Sequence, residues 1–428
     1  MSHFDGRTQL GDALGRALEG AAGEVEAISR EIFANPEPAF GEQRAVQLQI
    51  DYLTQLGYQV ESDVAGLPTA FIARMQNFDH EAMRKGLRHG HVGVISEYDA
   101  GPEGHVHGRH LVAGAALAAA VGLAEALKGI HGEVSIIGCP AAGTGEGKRL
   151  LLDEGVFEAL DLVLGAVPAS SGSGFQPTIN GTGGTLAVAH IVVTFAGDAG
   201  QSDARQRLAT AIDGQLHELS QTDSLDVSLS ETAVEFDLSS ATNPDLNALI
   251  ERIDALAQDA ARETGSTVTV DVVSRTPAMN VNRILARRAK TFADRMGLKQ
   301  DRIFKHAPRP ASDWGHASLV SATVPVQYIV SQEPVEAGTP AFAEACTTAF
   351  AYEQMISAAL TVGLTGLDTL GDMEFRGFAE GELIRTLKAQ GVQRIPRRWL
   401  GVRPLQSHGA PNGKQPPALG PLSQPRRG

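Results

Sequence analysis

One short stretch of the chain, residues 97–112, carries most of the side chains whose types suit acid–base or metal chemistry. It reads Glu-Tyr-Asp-Ala-Gly-Pro-Glu-Gly-His-Val-His-Gly-Arg-His-Leu-Val. Its ionisable residues are Glu97, Asp99, Glu103, His105, His107, Arg109 and His110. Carboxylates and imidazoles transfer protons and bind divalent metals, and a guanidinium binds carboxylates through two hydrogen bonds. We therefore expect the functional site here.

The elements on either side of this stretch predict where its side chains lie. Val92, Val94 and Ile95 are typical of a buried strand, and the Ala- and Leu-rich residues that begin near Leu111 predict a helix. A strand, a turn and a helix in this order place the turn at the carboxyl edge of a sheet, where open α/β proteins bind their ligands. The glycine-rich residues 140–147 follow a second predicted strand in the same way and add Glu146 to that edge.

Strands and helices alternate through most of the chain, which predicts an α/β fold: a mostly parallel mixed sheet with helices on both faces. Strands are expected at residues 58–60, 69–73, 134–139, 162–167 and 324–330, and helices at residues 10–33, 45–56, 148–160, 282–296 and 342–362. The charged residues 80–89 predict a loop.

A glycine cluster at residues 181–184 separates the first group of predicted strands and helices from a second group. The residues that follow predict strands at 188–195, 234–238 and 268–273 and helices at 204–219 and 246–262, a compact unit with a largely antiparallel sheet. We therefore predict a discontinuous catalytic-type domain of residues 1–183 and 284–392, and an inserted smaller α/β lid or dimerisation domain of residues 184–283. Residues 393–428 are rich in Pro, Gly, Arg and Gln and predict a disordered tail.

Length, charge and hydropathy narrow the class of protein. The 428 residues fit two domains, and the net charge of -14 argues against a nucleic-acid-binding surface. No apolar run reaches the ~18 residues of a membrane span, and no N-terminal stretch has the pattern of a signal peptide. Cys139 and Cys346 lie in apolar surroundings and predict buried, reduced thiols. We expect a cytoplasmic protein with neither a nucleic-acid nor a membrane partner.

Several segments resemble the zinc-dependent aminoacylase and carboxypeptidase superfamily (peptidase family M20), particularly its aminobenzoyl-glutamate hydrolase and amidohydrolase-like branch. The segments that carry the resemblance are Asn35-Pro36-Glu37 with Phe40 and Glu42, residues 66–73, Glu97-Tyr98-Asp99-Ala100 with Pro102, Gly104, His105 and Gly108, Pro140-Ala141 with Gly145, Gly147 and Lys148, Ser312-Asp313 with Gly315, and residues 339–345. They keep the family's order over roughly residues 8–375, which implies its two-domain fold.

The family's hydrolytic chemistry uses two metal ions, a bridging water and a glutamate base. The resemblance places these residues one by one, and most of the donors are replaced. His107 stands at the position of the family's Cys ligand, Arg109 at a His ligand, Ala142 and Gly143 at the two glutamates, Val167 and Gly338 at two further His ligands, and Gln201 at the His of the inserted domain. The insertion looks shortened over residues 223–231, where the family has a hairpin. We therefore predict a degenerate site that has lost the dizinc apparatus, with no metal ligands assigned.

Three functions remain open. The first is a metal-independent reaction on a small aminoacyl or amide substrate: amide formation, cyclisation or isomerisation. Arg109 would take over part of the metal's electrostatic role, by balancing Asp99 and Asp313 or by binding a substrate carboxylate. The residues expected to be catalytic are His107, His110, Arg109, Glu146, Asp313 and His316; those expected to bind substrate are Glu97, Asp99, His105, Gln201 and Trp314.

The second function is that of a non-catalytic homologue, a binding or partner subunit. The resemblance implies a homodimer through the inserted domain, with strand edges at residues 186–195 and a helix face at residues 204–219 as the contact. The third is a true amidohydrolase with a displaced site for a single divalent metal, on His105, His107 and His110 with Glu146 or His316. Taken singly, each histidine is more often a hydrogen-bonded loop residue, and Asp99 more often a turn residue that holds backbone amides.

Overall fold

The structure is a computed structural model that describes residues 2–86, 88–171, 184–196, 201–219, 224–230, 233–298 and 311–392. The tail predicted at residues 393–428 lies outside the described residues. The helices are α1 Ser2–Ala34, α2 Gln43–Gln55, α3 His80–Arg84, α4 Arg109–Leu127, α5 Glu146–Asp153, α6 Gln201–Leu219, α7 Asn243–Thr264, α8 Arg283–Arg295, α9 Trp314–Ser318, α10 Pro340–Ala345, α11 Ala349–Gly371 and α12 Met373–Ala389. The strands are β1 Gln59–Ser62, β2 Phe71–Asn77, β3 Gly90–Glu97, β4 Gly132–Cys139, β5 Leu162–Ala169, β6 Ala187–Ala196, β7 Ser224–Leu229, β8 Ala233–Ser240, β9 Thr267–Thr276 and β10 Ala322–Ile329.

The first sheet has six strands in the order β1-β2-β4-β3-β5-β10. Strands β4, β3, β5 and β10 are parallel to one another, and β1 and β2 extend the sheet in antiparallel fashion. Because β3, β4 and β5 are parallel, their carboxyl ends lie at one edge, and the turns after β3 and β4 meet there. The predicted mostly parallel mixed sheet is confirmed.

Helices cover both faces of this sheet. On one face α4 packs between the sheet, α1 and α11, in a core that includes Leu14, Leu111, Leu117 and Met355. On the other face the short helices α5 and α9 pack around Phe157 and Trp314. Helix α4 is the single described helix long and apolar enough to cross a membrane, and 89% of its apolar window is buried inside the fold, as expected of a core helix.

The second sheet lies within residues 184–283 and is antiparallel throughout, in the order β7-β8-β6-β9. Helices α6 and α7 pack on one of its faces, over Ile191, Phe236 and Leu246. Strand β6 is an inner strand of this sheet, and the edge strands among the described residues are β7 and β9. The prediction that residues 186–195 provide an edge was therefore wrong. The domain boundaries themselves stay predictions.

Three local predictions differ from the structure, and one strand was not predicted. The loop expected at residues 80–89 contains the short helix α3, and the helix expected at residues 148–160 ends at Asp153, because Gly155 adopts φ 78° and begins a separate 3-10 turn. The helix expected at residues 342–362 is two helices, α10 and α11, and each begins at a threonine that caps it: Thr339 accepts from the N–H of Phe342, and Thr348 from that of Ala351. Strand β7 lies at residues for which we predicted neither a strand nor a helix.

Candidate active site

A buried lysine is the centre of the polar cluster at the sheet edge. Lys148 extends from the first turn of α5, and its Nζ lies 2.7 Å from Oε1 of Glu97 and 2.8 Å from Oδ2 of Asp313. Glu97 ends β3 and Asp313 precedes α9, so one ammonium joins two loops that are far apart in sequence. The Lys148 side chain is completely buried. A charge in such a place is stable only when its counter-ions are held against it.

Trp314 covers this ion cluster. Its Nε1 donates a hydrogen bond of 2.8 Å to Oε1 of Glu97, and Nζ of Lys148 lies 5.8 Å from the centre of its ring. The ring lies on Gly165 of β5, where an added Cβ would come within 2.5 Å of the Trp314 ring. Glycine at this position is therefore what allows an indole to close over the lysine.

Arg109 lies beside the cluster, at the first position of α4. Its Nε is 3.4 Å from Oδ1 of Asp99 and 3.8 Å from Oε2 of Glu97. Its Nη1 and Nη2 donate no hydrogen bond to any residue that the structure describes, and they lie beside Gly143, 3.1 and 3.4 Å from where a Cβ would stand. Arg109 thus balances Asp99, as we expected, but the counter-ion of Asp313 is Lys148.

Asp99 also organises the neighbouring turn. Its two carboxylate oxygens accept hydrogen bonds from the backbone N–H groups of Ala142 and Gly143, at 3.1 and 2.9 Å. These two residues stand where the resemblance places carboxylates. Asp99, which we predicted to bind substrate, therefore also stabilises a turn. Its hydrogen bonds connect the turn after β4 to the turn after β3.

The two acids that share Lys148 titrate differently. Burial raises the pKa of Asp313 to about 6, because Lys148 only partly offsets the desolvation. Burial also opposes ionisation of Glu97, but Lys148 and Arg109 outweigh it and hold the pKa of Glu97 below its usual value. The difference follows from the contacts: Glu97 has two cations and an indole N–H, whereas Asp313 has one ammonium.

The three histidines of the motif do not converge. His105 and His110 are buried against Phe33 and against each other, with ring centroids 5.2 Å apart, and their Nε2 atoms face the carbonyls of Ile32 and Cys346. His107 is exposed and lies against Gly338. Within the described ranges, no group of three His, Cys, Asp or Glu side chains is placed to hold a metal ion.

Three further predicted residues lie outside the Lys148 cluster or at its margin. Glu146 is partly exposed and pairs with Arg149 at 2.6 Å. His316, on α9, is buried; its Nε2 has no described hydrogen-bond partner, and burial together with the nearby Lys148 lowers its pKa to about 3. Gln201 opens α6, and residues 197–200 before it are not described. The structure thus unites Glu97, Asp99, Arg109, Asp313 and Trp314.

Two residues of this site were missed as functional from the sequence. Lys148 was noted only as part of the resemblance and as a helix residue, although a lysine in a glycine-rich turn beside acidic motifs is a usable signal. Glu42 is fully buried, and its Oε1 accepts a 2.7 Å hydrogen bond from the N–H of Ala141, which has φ 53°. Burial raises the pKa of Glu42. Glu42 therefore anchors the turn that carries Ala142 and Gly143.

Curated relatives match part of the chain. No protein-family model matches it. It is 35% identical over 175 residues to the Xaa-Arg dipeptidase of Mus musculus, a match that covers 38% of this chain and 39% of the relative. It is 29% identical over 168 residues to one of the subunits of the p-aminobenzoyl-glutamate hydrolase of Escherichia coli, which covers 35% of this chain and 33% of the relative. The chain thus spans less than two fifths of the length of these relatives.

Solved structures match most of the chain at low identity. A putative aminohydrolase from Staphylococcus aureus has a TM-score of 0.68 at 17% identity and covers 84% of this chain and 99% of its own. A dinuclear metal-binding peptidase of the M20 family from Bacillus subtilis has a TM-score of 0.61 at 16% identity, over 81% and 99%. The protein has the fold of the M20 peptidases. Together with the curated relatives, these neighbours confirm the resemblance to the aminobenzoyl-glutamate hydrolase and amidohydrolase-like branch.

Proposed function

We propose that this protein carries out a metal-independent acid–base reaction on a small aminoacyl or amide compound that bears a carboxylate. Amide formation, cyclisation and isomerisation are the reactions in this class. The observation that supports it most directly is Arg109, whose Nε is held by Asp99 while its Nη atoms remain without a described partner. A guanidinium fixed on one side offers its other donors to a planar anion, and a carboxylate fits them bidentately.

The proton-transferring group in this proposal is His107. Neighbouring groups partly desolvate its exposed ring, and this desolvation together with the nearby Arg109 lowers the pKa of His107 below the ordinary value, which favours the neutral imidazole that a base requires. His107 is the exposed histidine of the motif, whereas His105 and His110 are enclosed by the core. Asp313 is buried against the ammonium of Lys148, and it would reach a substrate only if that ion cluster opened.

The two metal ions that the fold family implies do not fit the residues present. Ala142 and Gly143 have no side-chain donors, and the carboxylates Glu97, Asp99 and Asp313 already bind the cations Lys148 and Arg109. A divalent ion placed among them would meet two fixed positive charges. We derive no catalytic step through a metal.

The test is turnover of N-acyl amino acids and dipeptides by the full chain in the presence of EDTA, with mass spectrometry reading hydrolysis, condensation and isomerisation. EDTA is expected to leave the rate unchanged. Arg109→Ala is expected to lower kcat/KM by about 10- to 100-fold, since a charged hydrogen-bonded contact contributes about 1.5–3 kcal/mol. Arg74→Ala removes an exposed ion pair with Glu61 and serves as the control. Activity that EDTA abolishes and zinc restores would contradict the proposal.

A second function, ligand binding without turnover, is favoured by one observation. Lys148 engages both Glu97 and Asp313 and leaves neither carboxylate free to act on a substrate unless the ion cluster opens. In that case calorimetry would show a carboxylate ligand bound by the wild-type protein and lost in Arg109→Ala, with no product at any enzyme concentration. His107→Asn separates the two functions, because it removes turnover in the first and leaves binding intact in the second.

A further inference from the structure

Arg275 is a partly buried arginine that contacts no carboxylate among the described residues. It lies near the end of β9, and its Nη2 donates a hydrogen bond to Oδ1 of Asn247 in α7. Its Nε and Nη1 donate to no residue that the structure describes, and burial lowers its pKa. A charge removed from water is normally held against an opposite charge, as it is for Arg109, Arg149 and Arg288. The unused donors of Arg275 therefore suit an anion from solution.

The segment after β9 brings His316 to the same place. An added Cβ at Gly315 would stand 1.9 Å from the carbonyl oxygen of Pro277, so the two backbones are in direct contact. Arg275 lies two residues before this contact and His316 one residue after it. Their side chains therefore share one junction between β9 and α9. Burial, and after it the cations around the ring, Arg275 included, lower the pKa of His316 to about 3.

His316 contributes a second unused polar atom to this junction. Its side chain is 4% exposed, and its Nε2 has no hydrogen-bond partner among the described residues. A neutral imidazole carries one N–H, and a buried polar atom that is left unpaired costs stability. The cations that act on the ring are Lys148, Arg149 and Arg275. Because Lys148 and Arg149 have carboxylate partners of their own, Arg275 is the cation left to balance a bound anion.

Helix α7 holds this junction in position. In its first turn, Asn243 binds both backbone groups of Ala278: Nδ2 donates to the carbonyl oxygen at 3.3 Å, and Oδ1 accepts from the N–H at 2.7 Å. Asn247, one turn further along α7, holds the guanidinium of Arg275. These contacts are made by the protein alone, so the donors are placed before any ligand arrives, which reduces the free-energy cost of binding.

We propose that Arg275 and His316 bind a small oxyanion, a carboxylate or a phosphate, where α7 of the second sheet meets α9. Arg275 supplies the charge and a planar set of donors, and His316 supplies one N–H. Both oxyanions fit these donors. The inference does not rest on the proposed function, because that function assigns its carboxylate to Arg109 at the start of α4.

Calorimetric titration of the full chain with sodium phosphate or sodium succinate, each alone in Tris–chloride at constant ionic strength, tests the proposal. The wild type is expected to bind with a Kd on the order of 0.1–1 mM. Arg275→Gln is expected to weaken this binding by about 10- to 100-fold. Arg287→Gln removes the same charge from an exposed position of α8 and is the matched control, expected to bind as the wild type does. Saturable binding of phosphate alone, or of succinate alone, supports the site and identifies the oxyanion it accepts.

Two variants of His316 separate binding from packing. The amide N–H of His316→Gln reaches the position of Nε2 and is expected to keep the affinity, whereas His316→Asn is too short and is expected to lose about 3- to 10-fold. If Arg275→Gln does not fold, Arg275→Lys keeps the charge without the planar donors and is expected to weaken binding by about 10-fold.

Arg109→Ala makes failure of this inference distinguishable from failure of the proposed function, since it is expected to leave the oxyanion affinity unchanged. Three results would each overturn the inference. The first is no saturable binding of either anion by the wild type at tens of millimolar. The second is an equal loss in Arg275→Gln and Arg287→Gln, which would indicate general attraction to surface charge. The third is binding lost in Arg109→Ala and kept in Arg275→Gln, which would place the anion at Arg109.

Discussion

At the scale of single residues, burial separates three histidines that the sequence places within six positions of one another. His107 is exposed, whereas His105 and His110 are packed beneath Phe33 with their Nδ1 atoms unpartnered among the described residues. A buried imidazole without a counter-ion stays neutral, because its charged form loses hydration that nothing replaces. The histidines are thus divided between one exposed acid–base candidate and two residues of the core.

This burial predicts how stability depends on pH. Desolvation lowers the pKa of His110 to about 3, against an ordinary value of 6.5. Between these values the unfolded chain binds the proton and the folded chain does not, so stability is complete above pH 6.5 and falls as the pH decreases. The slope for one such histidine reaches about 1.4 kcal/mol per pH unit. Urea unfolding at pH 7.5 and 5.5 measures this change in the free energy of unfolding.

The variant for this test is His110→Gln, which cannot acquire a charge. The decrease in its unfolding free energy between the two pH values is expected to be smaller than that of the wild type by up to about 1.4 kcal/mol. His80→Gln, at an exposed position, should behave as the wild type does. Equal slopes for the wild type and His110→Gln would show that His110 is protonated in the folded protein.

At the scale of elements, the site depends on a close contact across the turn after β4. Gly147, at the end of this turn, packs against the backbone of Pro140, at its beginning. A Cβ at Gly147 would lie 1.7 Å from the carbonyl oxygen of Pro140, far inside van der Waals contact with backbone that has little room to move. Gly147→Ala must therefore open the turn that carries Lys148. We expect a loss of about 1–3 kcal/mol in unfolding free energy, measured by urea denaturation.

The matched control is Gly20→Ala in the exposed part of α1, where an added Cβ meets nothing within 4 Å. A glycine-to-alanine change inside a helix is expected to stabilise by about 0.5–1 kcal/mol. The two alanine variants should thus shift stability in opposite directions. An unchanged free energy of unfolding in Gly147→Ala would mean that the turn relaxes without strain and does not hold Lys148 in place.

The elements also show what the sequence could and could not predict. Strands β3, β4 and β5 were predicted from their apolar runs, which are buried on both faces, and the turns after β3 and β4 were correctly expected at one edge. The contacts of Lys148 were not predictable from local pattern, since its partners Glu97 and Asp313 lie 51 and 165 positions away. Strand β7 was missed because its described side chains are exposed and it shows no alternation of buried and exposed residues.

At the scale of the whole molecule, the sheet within residues 184–283 has an apolar edge strand at its surface. The sheet ends at β9, an exposed edge strand ten residues long that carries Val272 and Val273 at 45% and 61% exposure. An apolar edge strand with unpaired backbone groups tends to pair with another strand. We expect a homodimer in which β9 lies at the contact, rather than the inner strand β6.

Light scattering after size exclusion tests this arrangement. The wild type is expected at twice the chain mass of 45.1 kDa, and Val273→Asp at the mass of one chain, because a carboxylate at the contact would be buried without a counter-ion. Val227→Asp, on the opposite edge strand β7, should remain dimeric. A wild type that is monomeric at tens of micromolar would refute the pairing, whereas a dimer disrupted by Val227→Asp alone would move the contact to β7.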